Sequence, residues 1–214
     1  MTTPSNAVVS TPSLVLLPGL DGTGRMFDSF VRERPANQDV HIVEYPGDRH
    51  STYDELFEQV LSALPKNRPY FLLGESFSGP LAIRAAALQP AGLQGVILCA
   101  SFAASPTPWY ARWPSLYTSS VVRMLIWLEA LTMQALLGRC SEEMRRLAGE
   151  ATDSVCPRVL AARVRATMRV DVTRELREMQ VPLMYLAGRW DLVVPRRSQE
   201  LIRRLRPDVA IRTI

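Results

Sequence analysis

The sequence has 214 residues, 47% of them hydrophobic and 21% charged, proportions that suit one globular domain with a full core and exclude a disordered or fibrous chain. Its net charge of +4 rests on arginines, Lys66 being the sole lysine, and these are spread among acidic residues, so no basic run marks a nucleic-acid partner. The three cysteines, Cys99, Cys140 and Cys156, are odd in number and widely spaced, which excludes a disulfide framework or a metal cluster and suits a reducing compartment.

Residues 1–13 carry neither the basic nor the apolar region of a signal peptide, and 1–12 read as a polar lead-in. The wholly apolar run Leu14–Leu17 predicts a strand covered on both faces. Pro18-Gly19-Leu20-Asp21-Gly22-Thr23-Gly24 follows, a glycine-rich loop before a helical stretch over 26–32. It lacks the Gly-Lys-Ser/Thr ending of a P-loop and the glycine spacing of a dinucleotide fingerprint. Val40–Glu44 predicts a second strand and 45–50 a loop. Ser51 or Thr52 is placed to cap a helix over Tyr53–Leu64 whose apolar positions are Leu56, Val60 and Leu64.

Tyr70–Gly74 predicts the third strand, and the chain turns at once into a helix over 77–89. Such a corner holds its residue, here Ser76, at positive φ with strand and helix almost touching, so small neighbours are needed. Gly74 and Ser78 flank it, and Gly79 adds room. The Ser76 hydroxyl then stands at the tip of the turn, beside the positive end of a helix. Gly95–Cys99, Val181–Ala187 and Val209–Thr213 complete six predicted strands. Their alternation with helical segments implies an α/β fold, a mostly parallel sheet with helices on both faces. Between Ser101 and Gln180 no strand is predicted. There Pro106, Pro108 and Pro114 mark a loop, and helical patterns run over 121–137, 141–148, 157–168 and 172–179. The most apolar of these, 121–137, is broken by Arg123 and Glu129 and falls short of a bilayer span, so a cytoplasmic protein without a membrane partner is expected.

Gly74-Glu75-Ser76-Phe77-Ser78-Gly79 resembles the nucleophile elbow of the α/β-hydrolases, G-x-S-x-G, with Ser78 in the last position and Gly79 one residue later. Gly188-Arg189-Trp190-Asp191-Leu192-Val193-Val194-Pro195 resembles the Gly-x-x-Asp-x-x-Val-Pro segment that presents the acid of the superfamily's triad. The resemblance runs from about Leu14 to the last residue. It implies Ser76 as nucleophile, Asp191 as triad acid, and the amides of Phe77 and Leu20 as oxyanion donors, with Pro18 where the family often has histidine. Without the resemblance, Asp191 reads as a turn residue or a cap on a helix from Pro195. The strandless stretch matches the family's helical lid, which divides the chain into 1–104 and 181–214 as core and 105–180 as lid. Trp109, Tyr110, Trp113, Tyr117, Met124, Trp127 and Met133 make that stretch apolar. Most of them are expected to pack its own core, and a few to line an acyl pocket.

A serine nucleophile needs a base, and the family carries its histidine on the loop after the last strand. Here the only histidines, His41 and His50, precede Ser76, and the sequence reads to Ile214, just past the sixth strand. Three explanations stand: a C-terminal end that is incomplete, with the histidine beyond Ile214; a base relocated to His50; or a non-catalytic member that keeps the pocket for binding. The expected activity is hydrolysis of a small-molecule acyl ester or thioester through an acyl-serine, without cofactor or metal. Acyl transfer and pure ligand binding are the alternatives, and the oligomeric state is open. Dehalogenases and epoxide hydrolases of this fold carry aspartate at the elbow, which Ser76 disfavours.

Overall fold

The computed structural model describes residues 11–107, 115, 117–122, 124, 142–189, 191 and 193–214. Its strands are β1 (Ser13–Leu17), β2 (Val40–Ile42), β3 (Tyr70–Glu75), β4 (Leu93–Cys99), β5 (Leu183–Ala187) and β6 (Ala210–Thr213). They form one sheet in the order β2-β1-β3-β4-β5-β6, and every neighbouring pair is parallel. Parallel neighbours need crossovers, which are supplied by α1 (Asp28–Glu33), α2 (Tyr53–Ala63), α3 (Gly79–Ala87) and α7 (Arg196–Leu205). Between β4 and β5 the chain makes a longer excursion through α4 (Glu142–Asp153), α5 (Pro157–Thr167) and α6 (Thr173–Glu178). Its two ends are stitched together, Ser105 N–H to Val170 C=O at 2.9 Å and Val172 N–H to Ala103 C=O at 2.8 Å.

The apolar runs become strands because both sides of the sheet are covered. Val15, Leu16 and Leu17 each have 0% exposure although successive residues face opposite sides. Thr52 is the α2 cap. Its side chain takes the Glu55 N–H while the Glu55 carboxylate takes the Thr52 N–H, a reciprocal capping box. Leu56, Phe57 and Val60 form the buried face of that helix.

Three strand boundaries differ from expectation by two residues, each for a backbone reason. β2 stops at Ile42 because the chain peels away to brace the loop after β1, with Tyr45 N–H on Gly22 C=O at 2.8 Å. β4 starts at Leu93, opposite Tyr70, after a turn at Gly92 with φ +87°. β5 starts after Pro182, which has no N–H to pair, while its carbonyl accepts from Val96 at 2.9 Å. The aromatic positions Trp109, Tyr110, Trp113 and Trp127, with Met133 and Cys140, lie outside the described residues. Tyr117 packs partly buried against a small cluster of Val122, Val155, Val159, Leu160 and Ala161, whereas Met124 is 56% exposed. Among the described residues no helix is long and apolar enough to cross a membrane.

From β1 the chain goes outward to β2, then crosses back to β3 on the other side. The loops leaving the carboxyl ends of β1 and β3 therefore diverge at the point where strand order reverses, and an open α/β sheet forms its crevice there.

Candidate active site

Ser76 sits at φ +44° between β3 and a single 3-10 turn, Ser76–Ser78, that runs straight into α3. A non-glycine residue in that region costs about 1–3 kcal/mol and persists only where its surroundings fix it. The fixing groups are visible. Ser101 Oγ donates to the Ser76 carbonyl at 2.6 Å, and Tyr185 OH donates to the Ser101 carbonyl at 2.8 Å. A Cβ on Gly74 would lie 2.9 Å from Ala82 Cβ, Gly79 Cα and the Ser78 carbonyl, and one on Gly79 would lie 1.8 Å from Ser101 Oγ. The two positions that tolerate only glycine are therefore 74 and 79, which leaves space for the Ser78 side chain.

Ser78 uses that space. It is fully buried, its hydroxyl donates to the Pro18 carbonyl, and it shares a 2.7 Å hydrogen bond with Tyr45 OH. The departure from G-x-S-x-G thus ties the elbow to the loop after β1. Burial pushes the Tyr45 phenol well up, which keeps it a neutral partner. Phe77 is gripped from the other side, with Tyr53 OH on its carbonyl at 2.9 Å and the Tyr53 ring stacked at 4.7 Å between centroids. Its N–H is the second of the 3-10 turn, where the first amides have no intrahelical acceptor.

The loop 18–24 leaves β1 where Leu17 pairs with Gly74, so it starts beside the elbow. Gly22 N–H closes a turn onto Gly19 C=O at 3.1 Å, and Gly22 and Gly24 both take φ +74°. Among the described residues nothing accepts the Leu20 N–H. The Leu20 carbonyl is taken by Arg163 Nη1 at 2.8 Å, which also reaches the Asp21 carbonyl at 2.7 Å, while Nη2 holds the Pro46 carbonyl at 2.9 Å. Glu75 lies under the same loop. Burial, then the nearby Asp21 carboxylate, push its carboxyl up to about 7, with the Gly19 amide countering, and its Oε2 has no hydrogen-bond partner among the described residues.

Asp191 stands four residues beyond the end of β5, two strands across from Ser76 on the same sheet edge. Its Oδ1 accepts from Val193 N–H at 2.9 Å and Val194 N–H at 2.8 Å, so the carboxylate both makes the turn and orients itself. Cys99, at the end of β4, is pushed up to about 11 by burial and by the Glu75 and Asp191 carboxylates. It stays a thiol and offers no competing nucleophile. The loop of Asp191 is tied to the end of β6, Arg189 N–H to Ile214 C=O and Ile214 N–H to Ala187 C=O, both at 2.9 Å.

The two histidines stand elsewhere. His41 is exposed on β2, the far edge strand. His50 lines a cavity of about 700 Å³ with Tyr53, Pro80, Arg84, Arg169 and Glu175, to which neither Ser76 nor Asp191 contributes. Among the described residues no hydrogen bond joins either histidine to Ser76 or Asp191, and no His, Cys, Asp or Glu cluster is arranged to hold a metal.

Sequence alone does not single out Glu75, Ser101 or Arg163. Two of them leave a trace there. Glu75 is a carboxylate closing an apolar strand, and Arg163 falls three and four residues after Leu160 and Val159, on the face of α5 that is otherwise apolar.

Known proteins agree with this architecture. The sequence profile of the serine aminopeptidase S33 family matches residues 50–214. A pimeloyl-[acyl-carrier protein] methyl ester esterase of Aeromonas salmonicida is 28% identical, the match covering 89% of this chain and 82% of that protein. Among solved structures, a carboxylesterase from the Thaumarchaeon Nitrososphaera gargenis superposes with a TM-score of 0.76 at 16% identity, over 100% of this chain and 88% of its own. An enol-lactonase from Burkholderia xenovorans gives 0.75 at 17% identity, over 95% and 83%. These two structures bear on the fold alone, and the fold is the one built above. The chain belongs to the serine aminopeptidase S33 family of α/β-hydrolases and is an enzyme of the hydrolase type.

Proposed function

We propose that the protein hydrolyses carboxylic esters through an acyl-enzyme formed on Ser76. The observation that carries this reading is the positive φ of Ser76, held at the carboxyl end of β3 beside a loop whose Leu20 N–H has no acceptor among the described residues. Ser76 Oγ bonds to the ester carbonyl carbon as its proton passes to a base, and the carbonyl oxygen takes up negative charge facing the amides of Leu20 and Phe77. The carbon–oxygen bond to the alcohol then breaks, and the alcohol leaves with the proton from the base. Water repeats the sequence on the acyl-serine, releasing the acid and restoring Ser76. Asp191 orients the base and stabilises its protonated form.

In this reading the base is a histidine on residues that follow Ile214. The support is positional, since Ile214 is hydrogen-bonded to Ala187 and Arg189, which lead into the loop of Asp191. Residues 105–180 serve as the lid. The name of the Aeromonas salmonicida relative supports an ester of a carboxylic acid with a small alcohol as the substrate class.

Turnover of p-nitrophenyl, methyl and thiol esters by the 214-residue chain, by Ser76→Ala and by a form continued past Ile214 tests the proposal. The continued form is expected to be faster by several orders of magnitude and Ser76→Ala to abolish its activity. Equal turnover by Ser76→Ala would sink the acyl-serine, and strong Ser76-dependent turnover by the 214-residue chain would sink the position of the base.

A further inference from the structure

Among the described residues two arginines are buried, and they are held differently. Arg206 is 8% exposed and is paired with the Asp208 carboxylate at 2.7 Å while reaching the carbonyls of Met179 and Val181 that lead into β5. Arg163 is 2% exposed, and among the described residues no carboxylate bonds it. Its guanidinium is satisfied by the carbonyls of Leu20, Asp21 and Pro46 and lies 5.7 Å from the centre of the Tyr45 ring. A buried cation with no carboxylate bonded to it, only the Asp21 charge nearby, is an expensive way to hold a helix down, which an apolar side chain at the same place would do at lower cost.

The three carbonyls show what the expense secures. The Leu20 N–H belongs to the peptide between Gly19 and Leu20, and a rotation of that peptide would turn the donor away from the elbow. Its carbonyl end is held inside the loop by Gly22 N–H. The next carbonyl along, that of Leu20, and the one after it, that of Asp21, are both held by Nη1 of Arg163. Gly22 is so close beneath the guanidinium that a Cβ there would lie 2.6 Å from Nη1. Among the described residues no other side chain spans from the β4–β5 excursion to both the loop after β1 and the loop after β2 with this set of bonds.

We propose that Arg163 is a positioning residue for the oxyanion hole, clamping the 18–22 loop from α5 so that the Leu20 amide keeps its aim. The proposal rests on the acyl-serine reading above. It makes α5 part of the catalytic apparatus rather than a cover laid over it.

The test compares Arg163→Ala and the milder Arg163→Lys with the parent and with Ser76→Ala, all in the active form continued past Ile214. Amide hydrogen exchange is followed at residues 19–23, alongside kcat and KM for a p-nitrophenyl ester with and without added guanidinium ion at concentrations far below denaturing. Both arginine variants are expected to exchange tenfold or more faster at residues 19–23 with β3 and β4 unchanged. They should lose about 10–100-fold in kcat, since one whole oxyanion donor accounts for 10²–10³, with KM within about twofold. Guanidinium should restore part of the Arg163→Ala loss. An ammonium lacks the planar fork that reaches several carbonyls at once, so lysine should not substitute. A folded Arg163→Lys with parental kcat, in a protein that Ser76→Ala inactivates, would overturn the proposal and leave the acyl-serine intact. Unchanged exchange at 19–23, or faster exchange spread evenly over the sheet, would overturn it whatever the turnover. Turnover indifferent to Ser76→Ala would instead break the reading beneath it.

Discussion

At the carboxyl ends of β1 and β3, the groups that shape the site are held by residues far away in the chain. Ser78 reaches Pro18, Tyr45 reaches Ser78, Ser101 reaches Ser76, and Arg163 reaches Leu20. At the end of β5 the opposite holds. Asp191 is oriented by its own next residues, Val193 and Val194, and Val193 is 52% exposed. The side that carries Ser76 and the Leu20 amide is therefore a product of the whole fold, and a change in it should register in stability as well as in chemistry. The Asp191 loop is tied to the end of β6 through Arg189 and Ile214, but its carboxylate is oriented by the turn itself, so the charge can be removed while the loop stays as it is.

Asp191→Asn breaks that comparison most sharply. The amide oxygen of asparagine still accepts from Val193 and Val194, so the unfolding midpoint in urea should stay within about 0.5 kcal/mol of the parent. In the acyl-serine reading the charge that stabilises a protonated base is gone, and kcat of the form continued past Ile214 should fall by about 10⁴-fold. A matching loss of stability would show that the turn is not the independent unit described here. Unchanged kcat would remove Asp191 from the mechanism.

Gly79→Ala should do the reverse. The added Cβ meets Ser101 at 1.8 Å from Oγ and 2.7 Å from Cβ, and Ser101 can give way only by releasing the Ser76 carbonyl. Overpacking of this kind should cost about 3 kcal/mol, with activity falling in step. Pairing it with Ser101→Gly removes the clashing atoms and should recover part of the stability without restoring the carbonyl bond. Full tolerance of the single substitution would mean that the elbow is looser than its φ implies.

How far the sequence could show this follows the same division. The turn at Asp191 was legible because its surroundings are local, a glycine before it and Val-Pro after it in one short segment, while its place in a triad came from the resemblance alone. The strands were legible because a run such as Leu14–Leu17 needs both faces covered. Ser76 was legible from the steric demand of its corner. The bracing was not, because Ser101, Tyr45 and Arg163 acquire their partners only when elements 25–143 residues apart come together. Ser78 is the instructive case. Read along the chain it is a small residue tolerated where glycine is usual, and in three dimensions it is a connector.

Glu75 sharpens the comparison through pH. Its carboxyl ionises at about 7 in the fold against an ordinary value of 4.5. Between those values the folded state holds a proton that the unfolded chain has released, so stability falls as pH rises through this window and then levels off above about 7. The loss amounts to at most about 3 kcal/mol, since each tenfold change in proton affinity is worth roughly 1.4 kcal/mol. Glu75→Gln keeps the shape without the charge and should flatten that slope, leaving the variant the more stable protein at pH 8 and nearly equal to the parent at pH 5. Urea unfolding of both proteins across this range checks the difference. A parallel pair of curves would place the titration elsewhere.

The smallest expected effect carries the most specific test of long-range bracing. Ser78→Gly restores the usual G-x-S-x-G spelling, so a reading by pattern alone expects no penalty. The structure expects one, because the Pro18 carbonyl and the Tyr45 hydroxyl lose the group between them in a fully buried place. Ser78→Ala isolates the hydroxyl without adding backbone freedom and should cost about 1–2 kcal/mol in urea unfolding, the usual penalty for leaving buried polar groups unmatched. Tyr45→Phe should cost a similar amount. If the three groups act as one chain, the double variant should cost less than the sum by at least about 0.5 kcal/mol, since the second removal takes away a partner already stranded by the first. Strictly additive losses would show that Tyr45 and Ser78 contribute separately, and that the elbow and the loop after β1 are held together by packing around Phe77 rather than by this hydrogen-bonded path.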